Sequence, residues 1–363
     1  MSGERRPPRI VCFSAYTTNL RAAAFRRFLH QCGYDVVEPR SFGPPGSILE
    51  LALTLLPNCW VALTCRADLA AGFKPHPNVG LPLLICKLRG IPTWIDVDDL
   101  DHAYREGWMS WLVAVLQRHI PRWCTVITYH NRRLEEFLVH QMHCPPDRLV
   151  RVQQGVDYAF FSGAHQPADL PGTAGRRIAV YAAHLNVASD LEPVLQAWSV
   201  VVERIADALL LVVGGGPMLG HYRTLAAQMG LSEHVRFTGE LAHADVPRYF
   251  RLAELAVLYM SPRLVNEYRC SLKLREYFAA GLKVVGNDFG ELGEYAGFLY
   301  QAAGGVEAFG RMIVRVLEGF DDRRQDRARR FAMDQLDWTT VIGTGAAEVM
   351  RRCGLPAAAH GSS

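Results

Sequence analysis

Four aspartates fall within six residues, Asp96-Val97-Asp98-Asp99-Leu100-Asp101, directly after the apolar run Thr93–Val97. A carboxylate at the carboxyl end of a buried strand stands where open α/β sheets bind ligands. There it can take the proton of a hydroxyl as that oxygen attacks a carbon centre. Crowded carboxylates repel one another, which is one way a site makes an acid a better base. The same residues also suit the cap of a following helix, a purely structural use.

A second constellation lies in Cys270–Val285, CSLKLREYFAAGLKVV. Ser271, Lys273 and Glu276 open a helical run, and Lys273 and Glu276, three residues apart, share one face. A lysine at a helix start opposes the helix dipole, so it makes sense if it meets phosphate charge. The alternative is a plain exposed Lys–Glu pair. Upstream, Gly214-Gly215-Gly216-Pro217 follows the strand LLLVV and precedes a helix. Glycines there let backbone N–H groups approach a phosphate at a helix N-terminus. The dinucleotide fingerprint fails, because its third glycine would fall at Leu219 and Pro217 removes a donor, so a nicotinamide oxidoreductase is excluded. His184 follows the strand Ile178–Ala182 and can reach a diphosphate or sugar. His102, His130 and His243 sit at other element ends. Arg263 and Arg269 bracket the Lys273 segment, and arginine suits phosphate contacts.

These residues need a scaffold. Arg9–Phe13, Asp35–Glu38, Trp60–Thr64, Thr93–Val97 and Thr125–Thr128 read as buried strands, with helical stretches such as Arg21–Cys32, Trp108–Ile120 and Asn131–Gln141 between them. The alternation stops near Phe161, and residues 164–176 read as a Gly/Pro/Ala-rich linker. A second alternation runs through the strands Leu209–Val213, Val235–Thr238, Leu255–Tyr259 and Lys283–Gly286. The expected class is α/β: a first domain over 1–163, a second over 177–335, and a C-terminal helix and tail over 336–363 that can pack back on the first domain.

Composition narrows the functions. Net charge is only +3, too small to argue for nucleic acid. Nine scattered cysteines never form C-x-x-C, so neither a zinc ribbon nor a disulfide framework follows, and a cytoplasmic setting is expected. The longest apolar run, Ile48–Cys65, is interrupted by Glu50, Pro57 and Asn58, which argues against a membrane span. The Trp108–Ile120 helix has an apolar face with Trp108, Trp111 and Leu112 beside Arg105, Arg118 and Arg122. Such a helix can pack on the sheet or lie peripherally against a membrane.

The string S-x-K-x-x-E-Y-x-A-x-G-x-x-V-V beginning at Ser271 resembles the donor-binding signature of GT-B glycosyltransferases, family 4 above all. Three further landmarks agree in order: Gln153-Gln154-Gly155-Val156-Asp157…Phe160, LLLVVGGGP, and Val235-Arg236-Phe237-Thr238-Gly239. The resemblance spans about residues 90–340. It implies two Rossmann-like domains facing a cleft, and transfer of a sugar from a UDP- or GDP-type donor to a sugar, lipid-linked or other hydroxyl acceptor. Ser271, Lys273 and Glu276 would hold diphosphate and ribose, joined by His184, Gly215, Gly216, Glu240 and Arg269. Neither a metal nor a cofactor is expected. Where family 4 carries a first glutamate, this chain has Tyr268, with Glu267 out of register. Gly239–Ala244 looks closer to the inverting glucuronosyltransferase of xanthan assembly, whose motif makes Asp98 the base and Asp99 the second choice. Two other readings keep the donor site: a sugar-nucleotide 2-epimerase, and a non-catalytic binding partner, which Tyr268 suggests.

Overall fold

Short runs of Val, Ile, Leu and Ala form strands buried on both sides, and the amphipathic stretches between them wind into helices. The computed structural model describes residues 6–100 and 107–356, and within the latter all side chains except those of 107–110, 112, 113 and 116. In chain order the elements begin β1 (Arg9–Ser14), α1 (Leu20–Gln31), β2 (Asp35–Val37), α2 (Ile48–Thr64), β3 (Leu69–Phe73) and α3 (Pro77–Leu88). Next come β4 (Thr93–Asp96), α4 (Gly107–Trp123), β5 (Val126–Tyr129), α5 (Arg132–Glu136), β6 (Leu149–Arg151) and α6 (Tyr158–Ser162). They continue with β7 (Arg177–Ala182), α7 (Leu191–Arg204), β8 (Ala208–Val213), α8 (Leu219–Gln228), β9 (Val235–Phe237) and α9 (Val246–Phe250). After these stand β10 (Leu255–Leu258), α10 (Leu264–Tyr268), α11 (Leu272–Ala280), β11 (Lys283–Asn287) and β12 (Tyr300–Ala302). The last are α12 (Gly305–Leu317), α13 (Arg324–Phe331) and α14 (Trp338–Arg352).

Two compact units result. The first comprises residues up to Gln154, the segment Tyr268–Cys270, and the chain from Trp338. The second comprises Gly155–Glu267 and Ser271–Asp337. Each holds a six-stranded parallel sheet, ordered β2-β1-β3-β4-β5-β6 in the first and β12-β11-β10-β7-β8-β9 in the second. In the first unit the order leaves β1 in both directions, so right-handed crossovers put helices on opposite faces. Phe25 and Leu29 of α1 pack with Ile342 and Val349 of α14 on one face. Leu51, Ala62, Leu83, Ile120 and Leu134, from α2 to α5, pack on the other.

Two local expectations need correction. Trp60–Thr64 is not a strand but the end of the 17-residue helix α2. Its buried residues, Glu50, Leu51, Thr54, Asn58 and Ala62, recur at steps of three and four, a helical period that the apolar run disguised. The strand in that region is β3, LAAGF, which lacks the β-branched residues that mark strands. A Cβ on Gly72 would meet Leu83 and Val79 side chains at 2.6 Å, so the glycine lets α3 lie close to the sheet. Residues 164–176 are also tied down rather than loose. Ala168 N–H donates to the Arg248 carbonyl at 3.0 Å, and the Arg176 guanidinium caps the Asp207 and Ala208 carbonyls at 2.8 Å.

Candidate functional site

In the second unit, the carboxyl ends of β7 and β8 open on a pocket of about 210 Å³ whose lining includes His184, Gly214, Gly215, Glu240, His243 and Lys273. Four of the eight residues expected to bind the donor, His184, Gly215, Glu240 and Lys273, therefore meet in one place. The glycine turn is what makes this possible. A Cβ on Gly214 would lie 2.1 Å from the Ala183 carbonyl oxygen, and one on Gly215 2.7 Å from the Glu240 nitrogen. Gly216 has φ +142° and no room beside the Leu185 carbonyl. With these side chains absent, Leu185 N–H reaches the Gly215 carbonyl at 2.8 Å and Gly214 N–H reaches the Thr238 hydroxyl at 3.2 Å. Three loops thereby close around the pocket.

Lys273 arrives on α11, whose start is fixed by groups that the sequence reading missed. Glu291, fully buried, accepts the Ser271 backbone N–H and pairs with Arg275 at 2.7 Å. Arg275 also donates to the Ser271 carbonyl at 2.9 Å and to the Tyr295 hydroxyl at 2.8 Å. One turn on, the Tyr277 hydroxyl accepts the Ala182 N–H at 2.7 Å, which ties α11 to the end of β7. Burial drives the Tyr277 pKa well above the ordinary phenol value, so this hydroxyl stays neutral. No local signal marked the Arg275–Glu291 pair, since Arg275 stands beside Lys273 and Glu276, and Glu291 lies between Asp288 and Glu294. Lys273 Nζ lies 2.8 Å from Glu276 Oε2. The pair is not the exposed surface pair of the alternative reading, since the Glu276 side chain is only 9% accessible.

Other expected donor residues are placed differently. Ser271 contributes its backbone to the Glu291 and Arg275 contacts, and its hydroxyl makes no capping bond. Arg269 belongs to the Tyr268–Cys270 segment of the first unit and is not among the residues lining the pocket. The Arg263 guanidinium is turned to Asp190 and to the Val187 carbonyl. Tyr268, standing where a glutamate was expected, stacks edge-on against Phe137 at 5.3 Å, and its carbonyl accepts from Asn131 at 2.8 Å.

In the first unit, the carboxyl ends of β3, β4 and β5 bring Lys74, the aspartates and His130 together. Lys74, with φ +67°, places its Nζ 3.1 Å from Asp98 Oδ1 and 3.7 Å from Asp99 Oδ2. His130 Nε2 contacts the Asp98 carbonyl, and the Gln117 amide donates to the Asp99 carbonyl at 2.6 Å. Asp96 is separate from this group: it is fully buried and forks onto Arg21, with Nε–Oδ2 at 2.7 Å and Nη2–Oδ1 at 3.1 Å. The Thr128 hydroxyl donates to it as well, at 2.5 Å. Burial works against the Arg21 charge, but Asp96 outweighs it and the guanidinium pKa lies above its ordinary value. The mutual repulsion expected of the aspartates is thus answered by two cations, Arg21 and Lys74. Asp101, His102 and Arg105 lie outside the described residues, as do the side chains of Trp108 and Leu112.

Residues 176–319 match the family Glycosyl transferases group 1. Over 142 residues the chain is 30% identical to the GDP-mannose-dependent α-(1-6)-phosphatidylinositol monomannoside mannosyltransferase of Mycobacterium tuberculosis. The aligned part is 38% of this chain and 36% of that relative, so the chain matches little more than a third of the relative's length. Among solved structures, a glycosyltransferase from Rickettsia africae superposes with a TM-score of 0.69 at 12% identity, covering 96% of this chain and 99% of the other. Anabaena HepE in complex with UDP-glucose gives a TM-score of 0.66 at 14% identity, covering 95% and 100% of the two chains. The second unit therefore carries the sequence pattern of group 1 glycosyltransferases, on an α/β fold that the chain shares along its length with solved glycosyltransferases.

Proposed function

We propose that this chain transfers a sugar from a nucleotide-sugar donor to a hydroxyl acceptor. The observation that carries this reading is the second-unit pocket, where a glycine turn, His184, Glu240 and Lys273 converge within the residues that match the family. Lys273 holds the diphosphate and Glu276 accepts from the ribose hydroxyls. Stabilising a departing nucleoside diphosphate is an electrostatic task that fixed cations and amides perform well. A uridine donor is supported by the UDP-glucose complex of the similar fold, and a guanosine donor by the GDP-mannose dependence of the mannosyltransferase relative. The acceptor is a glycan, a lipid-linked sugar or a small hydroxyl compound. In the inverting form that the xanthan-pathway resemblance suggests, Asp98 takes the acceptor proton, with Asp99 the alternative. The nucleotide-sugar is a substrate, and the reading invokes neither metal nor cofactor.

A second reading, a sugar-nucleotide binder without transfer, is favoured by Tyr268, whose ring is packed against Phe137 instead of offering a carboxylate. A thermal-shift screen of nucleoside diphosphates and their sugars, followed by product analysis with and without acceptor, separates the cases. Selective stabilisation with acceptor-dependent product supports transfer. Stabilisation without product leaves the binder, an isomerised donor made without acceptor gives the epimerase, and no stabilisation by any nucleotide ends all three.

A further inference from the structure

Helix α2 faces the wrong way for a helix in water. Its buried side carries Glu50, Leu51, Thr54, Asn58 and Ala62, while Leu49, Leu53, Leu56, Trp60 and Leu63 point outward and are exposed. Leu56 is 77% and Trp60 67% accessible. The only charge in α2 is Glu50, which is buried and taken up by the Thr17 and Gly46 N–H groups and the Ser41 hydroxyl. The neighbouring helix α3, joined to α2 where the Asn58 amide donates to the Asn78 carbonyl, extends the apolar surface with exposed Leu81 and Leu88. A helix with apolar side chains all round is ordinarily enclosed, and contiguous apolar patches on a protein surface mark places where something docks.

The charges around the patch identify the partner. Beyond buried Glu50, helices α2 and α3 contain no acidic residue, whereas Lys87 on α3 and Arg66 and Arg89 just past the two helices are exposed and cationic, the Arg89 guanidinium donating to the Ala62 and Cys65 carbonyls at the end of α2. We propose that the outer face of α2 and α3 docks on an anionic lipid bilayer, lying in its interface. Apolar side chains and a tryptophan with lysine and arginine around them are the composition of an interfacial helix. At 17 residues, α2 is about 25 Å long, short of the roughly 30 Å hydrocarbon core. No helix among the described residues is long and apolar enough to cross a membrane. A second copy of the chain fits less well. The outward residues have coiled-coil spacing, but such a seam is flanked by charged pairs, and here the flanks are Ala52, Pro57, Cys59 and Thr64. The proposal stands on this face alone and is independent of the transferase reading.

Co-sedimentation with vesicles tests it, using phosphatidylcholine alone and phosphatidylcholine mixed with phosphatidylglycerol. The wild-type chain should pellet with the anionic vesicles, less so with the neutral ones, and less as salt rises. Leu56→Glu, Trp60→Glu and, on α3, Leu88→Glu should each weaken partitioning about tenfold or more, with melting temperatures unchanged because the side chains are exposed. Wild-type protein that stays in the supernatant with anionic vesicles overturns the proposal, as do folded variants that pellet like wild type. A dimer in analytical ultracentrifugation that Leu56→Glu dissolves, without vesicle binding, assigns the face to a second copy instead and also overturns it.

Discussion

Lys273 Nζ and Glu276 Oε2 lie 2.8 Å apart across one turn of α11, and the carboxylate is almost wholly shielded from water. The lysine that lines the pocket therefore also neutralises a buried acid, so binding and stability are coupled at this position. Lys273→Ala should weaken nucleoside diphosphate binding about tenfold or more and, by stranding Glu276, lower stability by about 1–3 kcal/mol. The double variant with Glu276→Ala should recover most of the melting temperature but none of the binding. Unchanged diphosphate affinity in Lys273→Ala would remove the phosphate role, and a double variant no more stable than the single would dissolve the coupling.

Glu276 is assigned to ribose by the proposed donor pose. In Glu276→Ala, titration calorimetry should show a larger loss of affinity for a ribonucleotide than for its 2′,3′-dideoxy analogue, since only the first offers hydroxyl donors. Equal losses for the two ligands leave Glu276 as the partner of Lys273 and nothing more.

Asp98→Asn preserves size and most hydrogen bonding but cannot accept a proton. Turnover should fall about 10²-fold or more, while donor affinity stays level because the donor residues belong to the other compact unit. Stability should change little, for Lys74 keeps Asp99 at 3.7 Å. If Asp99→Asn is the inactive variant, the segment stands and the base is its neighbour. Full activity in both, or product with the donor's anomeric configuration retained, defeats the single-base scheme.

The Arg21–Asp96 fork is a structural element with no proposed chemistry. Both side chains are buried, so Arg21→Ala should destabilise the first unit by about 3–5 kcal/mol, the scale for stranding a buried charge. Replacing both by apolar residues should recover part of that. Urea unfolding measures it, and a loss below about 1 kcal/mol would mean that water enters to solvate Asp96.

Much of the scaffold was legible because buried parallel strands and amphipathic helices announce themselves by composition and period. Arg9–Ser14, Ala208–Val213 and α7 are such elements. The sequence misled where composition and burial disagree: α2 looks apolar enough to hide strand-like runs, and LAAGF hides a strand behind small residues. At the site, Gly215, His184 and Lys273 were found through local pattern and Glu240 through the family resemblance, and they do converge. Lys74, Arg275 and Glu291 were not, and His130 was noted only as a strand-end histidine, because their importance is set by partners sixteen to thirty-two residues away in sequence. No local period encodes such pairings. Arg269 was chosen by proximity in sequence to Lys273, yet the chain assigns the two to different compact units.

The chain passes between its two units four times, after Gln154, Glu267, Cys270 and Asp337. The first unit consequently cannot be completed by the amino-terminal half of the molecule, because α14 supplies Ile342, Val349 and Met350 to the core beside α1. On a ribosome adding about 5–20 residues per second, the interval from Gln154 to Trp338 is roughly 10–40 s. Throughout it, the Phe28 face of α1, against which Gly343 of α14 lies, waits for a partner not yet made. The second unit, contiguous but for a three-residue excursion, is free of that delay. Biosynthesis therefore supplies the last residues of the two units in the reverse of the order in which their first strands emerge.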